Sequence, residues 1–76
     1  MQNKNLNVIA YANGWTLWEY MDRTISIDQM EEPGFFDRVK DLMAVGDVFY
    51  LIAKDTVKHV WVKTINPVVT LEDIGE

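Results

Sequence analysis

The feature that most constrains the fold is a pair of apolar, aromatic runs joined at Asn13-Gly14. Asn-Gly between two such runs is a strong β-hairpin signal, because both residues tolerate the positive φ that a type I′ turn requires. The sequence therefore predicts a strand over residues 6–11 and a return strand over residues 15–21. This hairpin holds two of the three Trp and two of the three Tyr residues. We expect the rest of the chain to cover or extend it.

Alternation assigns the residues of each predicted strand to two faces, because successive side chains point to opposite sides. The first strand groups Leu6, Val8 and Ala10 against Asn7, Ile9 and Tyr11; the return strand groups Trp15, Leu17, Glu19 and Met21 against Thr16, Trp18 and Tyr20. Neither strand has a clean polar face, which is typical of strands covered on both sides. We expect one cover to be the domain core and the other to be a partner.

A capping box follows the hairpin. Ser26 is the predicted N-cap and Gln29 reaches back to it, which predicts a short helix over residues 27–32 that ends at Pro33-Gly34. The alternative is an extended segment over residues 24–27 followed by a turn.

A second short helical stretch is predicted over residues 38–43. Asp37 stands where it can cap this stretch. The spacing of Val39, Leu42 and Met43 predicts one buried stripe.

Three further strands complete the predicted architecture. Residues 48–53 form the most apolar run and predict the central strand, residues 57–65 alternate, residues 68–71 form a last short strand, and residues 72–76 an acidic tail. Polar turns are expected at residues 54–56 and 66–67. The sum is one mainly β domain over residues 1–76, with a minor helical part. It would be a five-stranded, partly open barrel or a two-layer sheet with one or two short helices.

Size and charge exclude several classes of protein. A chain of 76 residues has a marginal core of its own, and without Cys it has no disulfide to support it. A net charge of −5 argues against a nucleic-acid surface and against an anionic membrane surface. No apolar run reaches the roughly 18 residues of a membrane span, and the polar first five residues do not resemble a signal peptide. Oligomerisation is the remaining source of stability that we expect.

No residue pattern predicts catalysis. His59 is the only His and has no evident orienting partner, so it is expected on a strand surface or an interface. The mid-chain acids are expected on solvated faces; they are Asp28, Glu31, Glu32, Asp37, Asp41 and Asp47. Ser26 has no nucleophile elbow around it, and the glycines are too isolated to cradle a phosphate. We expect no enzyme activity, no cofactor and no metal site.

The aromatic residues are more numerous than so small a core can enclose, and aromatics are enriched at protein interfaces. The predicted interface residues lie on the hairpin, in the Gly34 turn and on the fourth strand: Trp15, Leu17, Trp18, Tyr20, Phe35, Phe36 and Trp61. An aromatic platform for sugar, built on the three Trp residues, is the alternative use of the same side chains.

Three motifs resemble a family of small proteins of tailed bacteriophages and prophages. They are the hairpin Val8-Ile9-Ala10-Tyr11-Ala12-Asn13-Gly14-Trp15-Thr16-Leu17-Trp18, the turn Pro33-Gly34-Phe35-Phe36, and the stretch Asp41-Leu42-Met43-Ala44-Val45-Gly46-Asp47-Val48. The resemblance covers residues 6–53 well and residues 57–71 only in general character. It implies a virion protein assembled in the bacterial cytoplasm, of the head decoration, cement or head-fibre type. Such a protein would form a homo-oligomer, a trimer being one candidate, and would dock on the capsid or another virion protein.

Two other functions fit the same sequence. A small acidic phage inhibitor or DNA mimic would use clustered carboxylates to bind a basic host protein. A glycan-binding module would use the Trp residues.

Overall fold

The computed structural model describes residues 1–74 and shows a mainly β protein. Five strands, β1 to β5, and one short helix, α1, follow one another as β1 (Leu6–Ala12), β2 (Trp15–Asp22), α1 (Ile27–Met30), β3 (Val48–Ala53), β4 (Val57–Thr64) and β5 (Thr70–Asp73). Two 3-10 segments, Asn3–Asn5 and Asp37–Leu42, complete the regular structure.

The strands form one mixed sheet in the order β1-β2-β3-β4-β5. β2 and β3 pair in parallel, whereas the other three neighbouring pairs are antiparallel. The sheet does not close into a barrel, and β3 is its central strand, as its apolar sequence predicts. A parallel pair needs a long crossover, and residues 23–47 supply it between β2 and β3.

The β1–β2 hairpin forms where Asn13-Gly14 predicts it, but its turn is not type I′. Gly14 has a φ of 93°, and among residues 1–74 no residue other than glycine has a positive φ. A type I′ turn needs positive φ at both central positions, so the predicted turn type is wrong. Glycine alone supplies the left-handed conformation here.

A bulge in β1 overturns the predicted faces of that strand. The pairing with β2 shifts between Val8 and Ala10, so that Val8 lies opposite Trp18 but Ala10 lies opposite Leu17. Past the extra residue Ile9, each side chain of β1 changes face, as expected at a β-bulge. Ala10 and Tyr11 therefore occupy the faces opposite to those that strict alternation predicts.

The crossover covers one face of the sheet, here called the inner face, and forms the core with it. Phe36 of the crossover packs against Tyr20 of β2 at 5.2 Å between ring centroids and against Phe49 of β3 at 4.8 Å. Trp18 stacks on Phe49 from the neighbouring strand, with centroids 6.0 Å apart. The other members of the core cluster come from the crossover, from β3 and β4 and from the segment before β5: Ile27, Met30, Val39, Met43, Leu51, Ala53, Val60, Val62 and Val69.

The capping box predicted at Ser26 is present. The Ser26 hydroxyl accepts the Gln29 backbone N–H, and the Gln29 side chain accepts the Ser26 backbone N–H. The helix is shorter than expected and ends at Met30. Ile27 and Met30 are its buried residues, which fixes α1 against the inner face.

The second helical stretch is 3-10 rather than α and begins at Asp37. The Asp37 carboxylate does not cap it but accepts the backbone N–H of Val69 at 2.8 Å. Val39 and Met43 are buried as predicted, whereas Leu42 is 64% exposed. A 3-10 segment turns more tightly than an α-helix, so α-helical spacing misplaced Leu42.

β5 begins later than predicted. Thr70–Asp73 pair with β4, so Glu72 and Asp73 of the expected acidic tail belong to the sheet. Gly75 and Glu76, also assigned to that tail, lie outside the described residues.

Candidate interaction surface on the open sheet face

The face of the sheet opposite the core is here called the open face, and it is largely apolar. On β2, β3 and β4 it carries alternate residues: Trp15, Leu17, Glu19, Met21, Val48, Tyr50, Ile52, Val57, His59, Trp61 and Lys63. Lys63 forms an ion pair with Glu72 of β5, which lies opposite Trp61. The alternation of β2 and β4 predicts these faces correctly. In the continuous apolar run of β3, by contrast, no polar residue marks which side is which.

Strand register arranges this surface in three rows that cross the sheet. The first row is Leu17–Val48–Trp61, the second Glu19–Tyr50–His59, and the third Met21–Ile52–Val57. Each row has its central residue on β3. The first and third rows are apolar and lie on either side of the second row, which is polar.

The core cluster of residues 1–74 lies on the other side of the sheet from the open face. All buried side chains of the core cluster that come from the strands lie on the inner face, while Ile52 is 9% exposed and outside that cluster. At the margins of the open face Trp15 is 40%, Met21 41% and Val57 46% exposed. Leu17, Val48 and Trp61 between them are partly buried. An apolar patch with an exposed margin is typical of an interaction site.

The polar row is ordered by an aromatic stack. The rings of Tyr50 and His59 lie 4.7 Å apart with 23° between their planes. On the other side of Tyr50, the Glu19 carboxylate accepts a long hydrogen bond of 3.5 Å from the Asn7 side chain. One acid and one imidazole thus flank Tyr50 on opposite sides.

The predicted interface residues divide between the two faces. Trp15, Leu17 and Trp61 lie together on the open face. Trp18, Tyr20 and Phe36 are in the core of the single chain and offer little or no surface to a partner. Phe35 is partly buried and packs edge-on against Tyr20, with ring centroids 5.7 Å apart. The open-face residues of β3, Val48, Tyr50 and Ile52, are not among the predicted interface residues. Their signal in the sequence is the absence of polar alternation.

The prediction that Asp47 lies on a solvated face is wrong, because this residue is only 3% exposed. Its carboxylate accepts the Thr16 backbone N–H, the Trp18 indole N–H and the Ala44 backbone N–H, each at 3.0 Å. Its backbone carbonyl also accepts the N–H of Val62 at 2.8 Å. Asp47 therefore joins the crossover to β2 and β4, and it holds Trp18 in the core.

A second charged group joins α1 to the far edge of the sheet. Lys58 Nζ lies 3.2 Å from a Glu31 carboxylate oxygen and 3.0 Å from one of Asp73. Burial raises the pKa of Glu31 despite this lysine. The hydrogen bond between Lys58 and Asp73 raises the pKa of the lysine and lowers that of Asp73.

Residues 1–74 contain neither a cluster of metal ligands nor a membrane-spanning helix. In this part of the chain no three His, Cys, Asp or Glu side chains lie close enough together to hold a metal ion. None of its helices has the length and apolar character needed to cross a membrane. Comparisons with protein-family models, curated proteins and solved structures find no match.

Proposed function

We propose that this chain is a non-enzymatic structural protein of a bacteriophage particle, which self-associates through its open sheet face and docks on the capsid. The apolar rows of that face, with Trp15, Met21 and Val57 exposed, are the observation that supports assembly. The virion assignment, of the head decoration, cement or head-fibre type, is supported by the resemblance of the hairpin and Gly-Phe-Phe motifs. Assembly would take place in the bacterial host cytoplasm.

The energetics of the open face favour a protein cover. An indole side chain of about 250 Å² that is 40% exposed, as Trp15 is, still offers about 100 Å². Covering that area is worth about 2.5 kcal/mol at about 25 cal/mol per Å², before the entropy cost of association. Met21 and Val57 add comparably exposed apolar surface at the other end of the face. A domain of 76 residues has little core to spare, so this gain is large relative to its own stability.

The acidic-inhibitor alternative is less well supported by the placement of the carboxylates. Asp47 is buried under three N–H donors, and Glu31 is paired with Lys58. Asp37 binds the Val69 backbone. These side chains hold the fold together, and fewer acids remain for a basic partner.

A glycan-binding module is the second candidate, because Trp15 and Trp61 share the open face. Titration with host polysaccharide, followed by tryptophan fluorescence, tests it. A saturable shift that Trp61→Ala abolishes and Leu42→Ala leaves intact would support the module; an unchanged spectrum would reject it.

Sedimentation equilibrium tests self-association. The purified chain should form oligomers at micromolar concentration, and Leu17→Lys should shift it to monomer because the charge enters an apolar row. Leu42→Lys is the matched control, since Leu42 is exposed and lies in the crossover on the other side of the sheet. A parent protein that stays monomeric up to several hundred micromolar would contradict self-association.

Mass spectrometry of purified particles tests the virion assignment separately. The chain should co-purify with intact particles at a copy number comparable to a capsid protein. Its absence from particles, together with recovery of one basic host protein in a pull-down, would instead establish the inhibitor function.

A further inference from the structure

The open face is self-complementary about its central strand. In the polar row an acid, Glu19, and an imidazole, His59, lie on either side of Tyr50. In the row above, Leu17 and Trp61 lie on either side of Val48. If a second copy lies over this surface with its left and right sides exchanged, Glu19 faces His59 of the other copy and Leu17 faces Trp61 of the other copy.

Two arrangements could stack the open faces of two copies with two-fold symmetry. An axis parallel to β3 places β2 over β4 of the partner, so that Glu19 meets the partner's His59. An axis that runs across the strands through the polar row places Glu19 over the partner's Glu19. Like charges in an interface cost several kcal/mol, whereas a neutral or protonated imidazole can donate a hydrogen bond to a carboxylate.

We propose that the occupant of the open face is a second copy of this chain, stacked face to face about a two-fold axis along β3, with Glu19 of each copy paired to His59 of the other. The inference rests on the proposed self-association and specifies its geometry. Sheets packed in this way lie about 10 Å apart with strands within about 30° of alignment.

The size of the face is consistent with a weak dimer. The five strands have four to eight residues each, and at about 4.8 Å between strands and about 3.3 Å per residue they give a face of roughly 500 Å². Two such faces bury roughly 1,000 Å², which is the size of a weak, transient interface.

Charge reversal tests the pairing. Glu19→Lys alone sets a lysine against the partner's His59, and His59→Glu alone sets two carboxylates together; each should weaken dimerisation at least tenfold in sedimentation equilibrium. The double variant restores an opposite-charge pair and should return to within about threefold of the parent dissociation constant. Within one chain the two positions are two strand spacings apart, about 9.5 Å, with Tyr50 between them. The readout of contact between copies is therefore the return of dimerisation, not of monomer stability.

Cross-linking provides a second readout. The chain has no Cys, so Val48→Cys introduces one thiol, and the proposed axis passes over Val48. A short bifunctional thiol reagent should link Val48→Cys chains into dimers and leave the control Leu42→Cys monomeric. Thermal melts of all variants establish that each one folds.

The outcomes separate the two proposals. A parent protein that does not self-associate overturns this inference and the self-association of the proposed function together. A parent protein that dimerises while the double variant stays as weak as the single variants, and while Val48→Cys does not cross-link, overturns the Glu19–His59 geometry alone.

Discussion

Replacing Asp47 by Asn alters a single atom of a buried side chain that binds three donors. The carboxylate accepts from Thr16 through one oxygen and from Trp18 and Ala44 through the other. An amide has only one acceptor oxygen, so in Asp47→Asn the NH₂ group must face at least one N–H donor. The variant keeps the shape of the site and loses part of its hydrogen bonding.

The size of the effect follows from that count. If the amide oxygen takes the position shared by Trp18 and Ala44, one charge-assisted hydrogen bond is lost and the Thr16 N–H is left facing a donor. This loss costs about 2–3 kcal/mol. A 76-residue domain at about 0.05–0.15 kcal/mol per residue has about 4–11 kcal/mol in total, so the variant should be severely destabilised. Asp47→Ala leaves all three donors without the carboxylate and should cost more, about 3–5 kcal/mol.

Urea unfolding at 25 °C, followed by tryptophan fluorescence, measures this loss. At a slope of about 1 kcal/mol per molar urea, Asp47→Asn should lower the midpoint by about 2–3 M. Asp41→Asn is the matched control: Asp41 is an exposed acid of the same crossover, so its free energy of unfolding should change by less than about 0.5 kcal/mol. Should Asp47→Asn be as stable as Asp41→Asn, the hydrogen-bonding role assigned to Asp47 would be refuted.

Three further changes give independent predictions. Burial raises the pKa of Glu31, so ionising this carboxyl in the folded chain costs stability, and urea unfolding should show Glu31→Gln gaining stability relative to the parent as the pH rises above about 4. Lys58 lowers the pKa of Asp73, whose contribution to stability is lost as the pH falls below about 4; Asp73→Asn should therefore lose stability relative to the parent as the pH rises from strongly acid to about 4, and parallel pH profiles would contradict the pairing. Gly14→Ala should cost about 1–2 kcal/mol in urea because of its positive φ, whereas an unchanged midpoint would show that the turn adapts.

Local sequence signals predicted the elements that depend on neighbouring residues. The Asn13-Gly14 hairpin and the Ser26 capping box are both set within a few residues, and both are present. The regular alternation of β2, and of β4 as far as Val62, also assigned their faces correctly. A second bulge, between Val62 and Thr64, puts Thr64 on the face opposite to the one that alternation predicts. The β1 bulge breaks alternation at Ile9, and no residue type there marks it.

Features that depend on distant residues could not be predicted in the same way. The partners of Asp47 lie 29 and 31 positions away in Trp18 and Thr16, so its burial becomes evident only when β2 and the crossover meet. The surplus of aromatic residues predicts that some of them meet a partner, and Trp15, Tyr50 and Trp61 are the aromatic residues of β2, β3 and β4 on the open face. Which aromatics it contains depends on the side of the sheet that the crossover covers, and alternation alone does not determine that side.

Oxidative footprinting of the three Trp residues by hydroxyl radicals, read by mass spectrometry, tests most directly whether protein covers the open face. As the chain is concentrated from about 1 to 200 μM, oxidation of Trp15 and Trp61 should fall severalfold, while Trp18 in the core should react little throughout. Constant oxidation of Trp15 and Trp61 over that range, and equally in purified particles, would contradict a protein-covered open face.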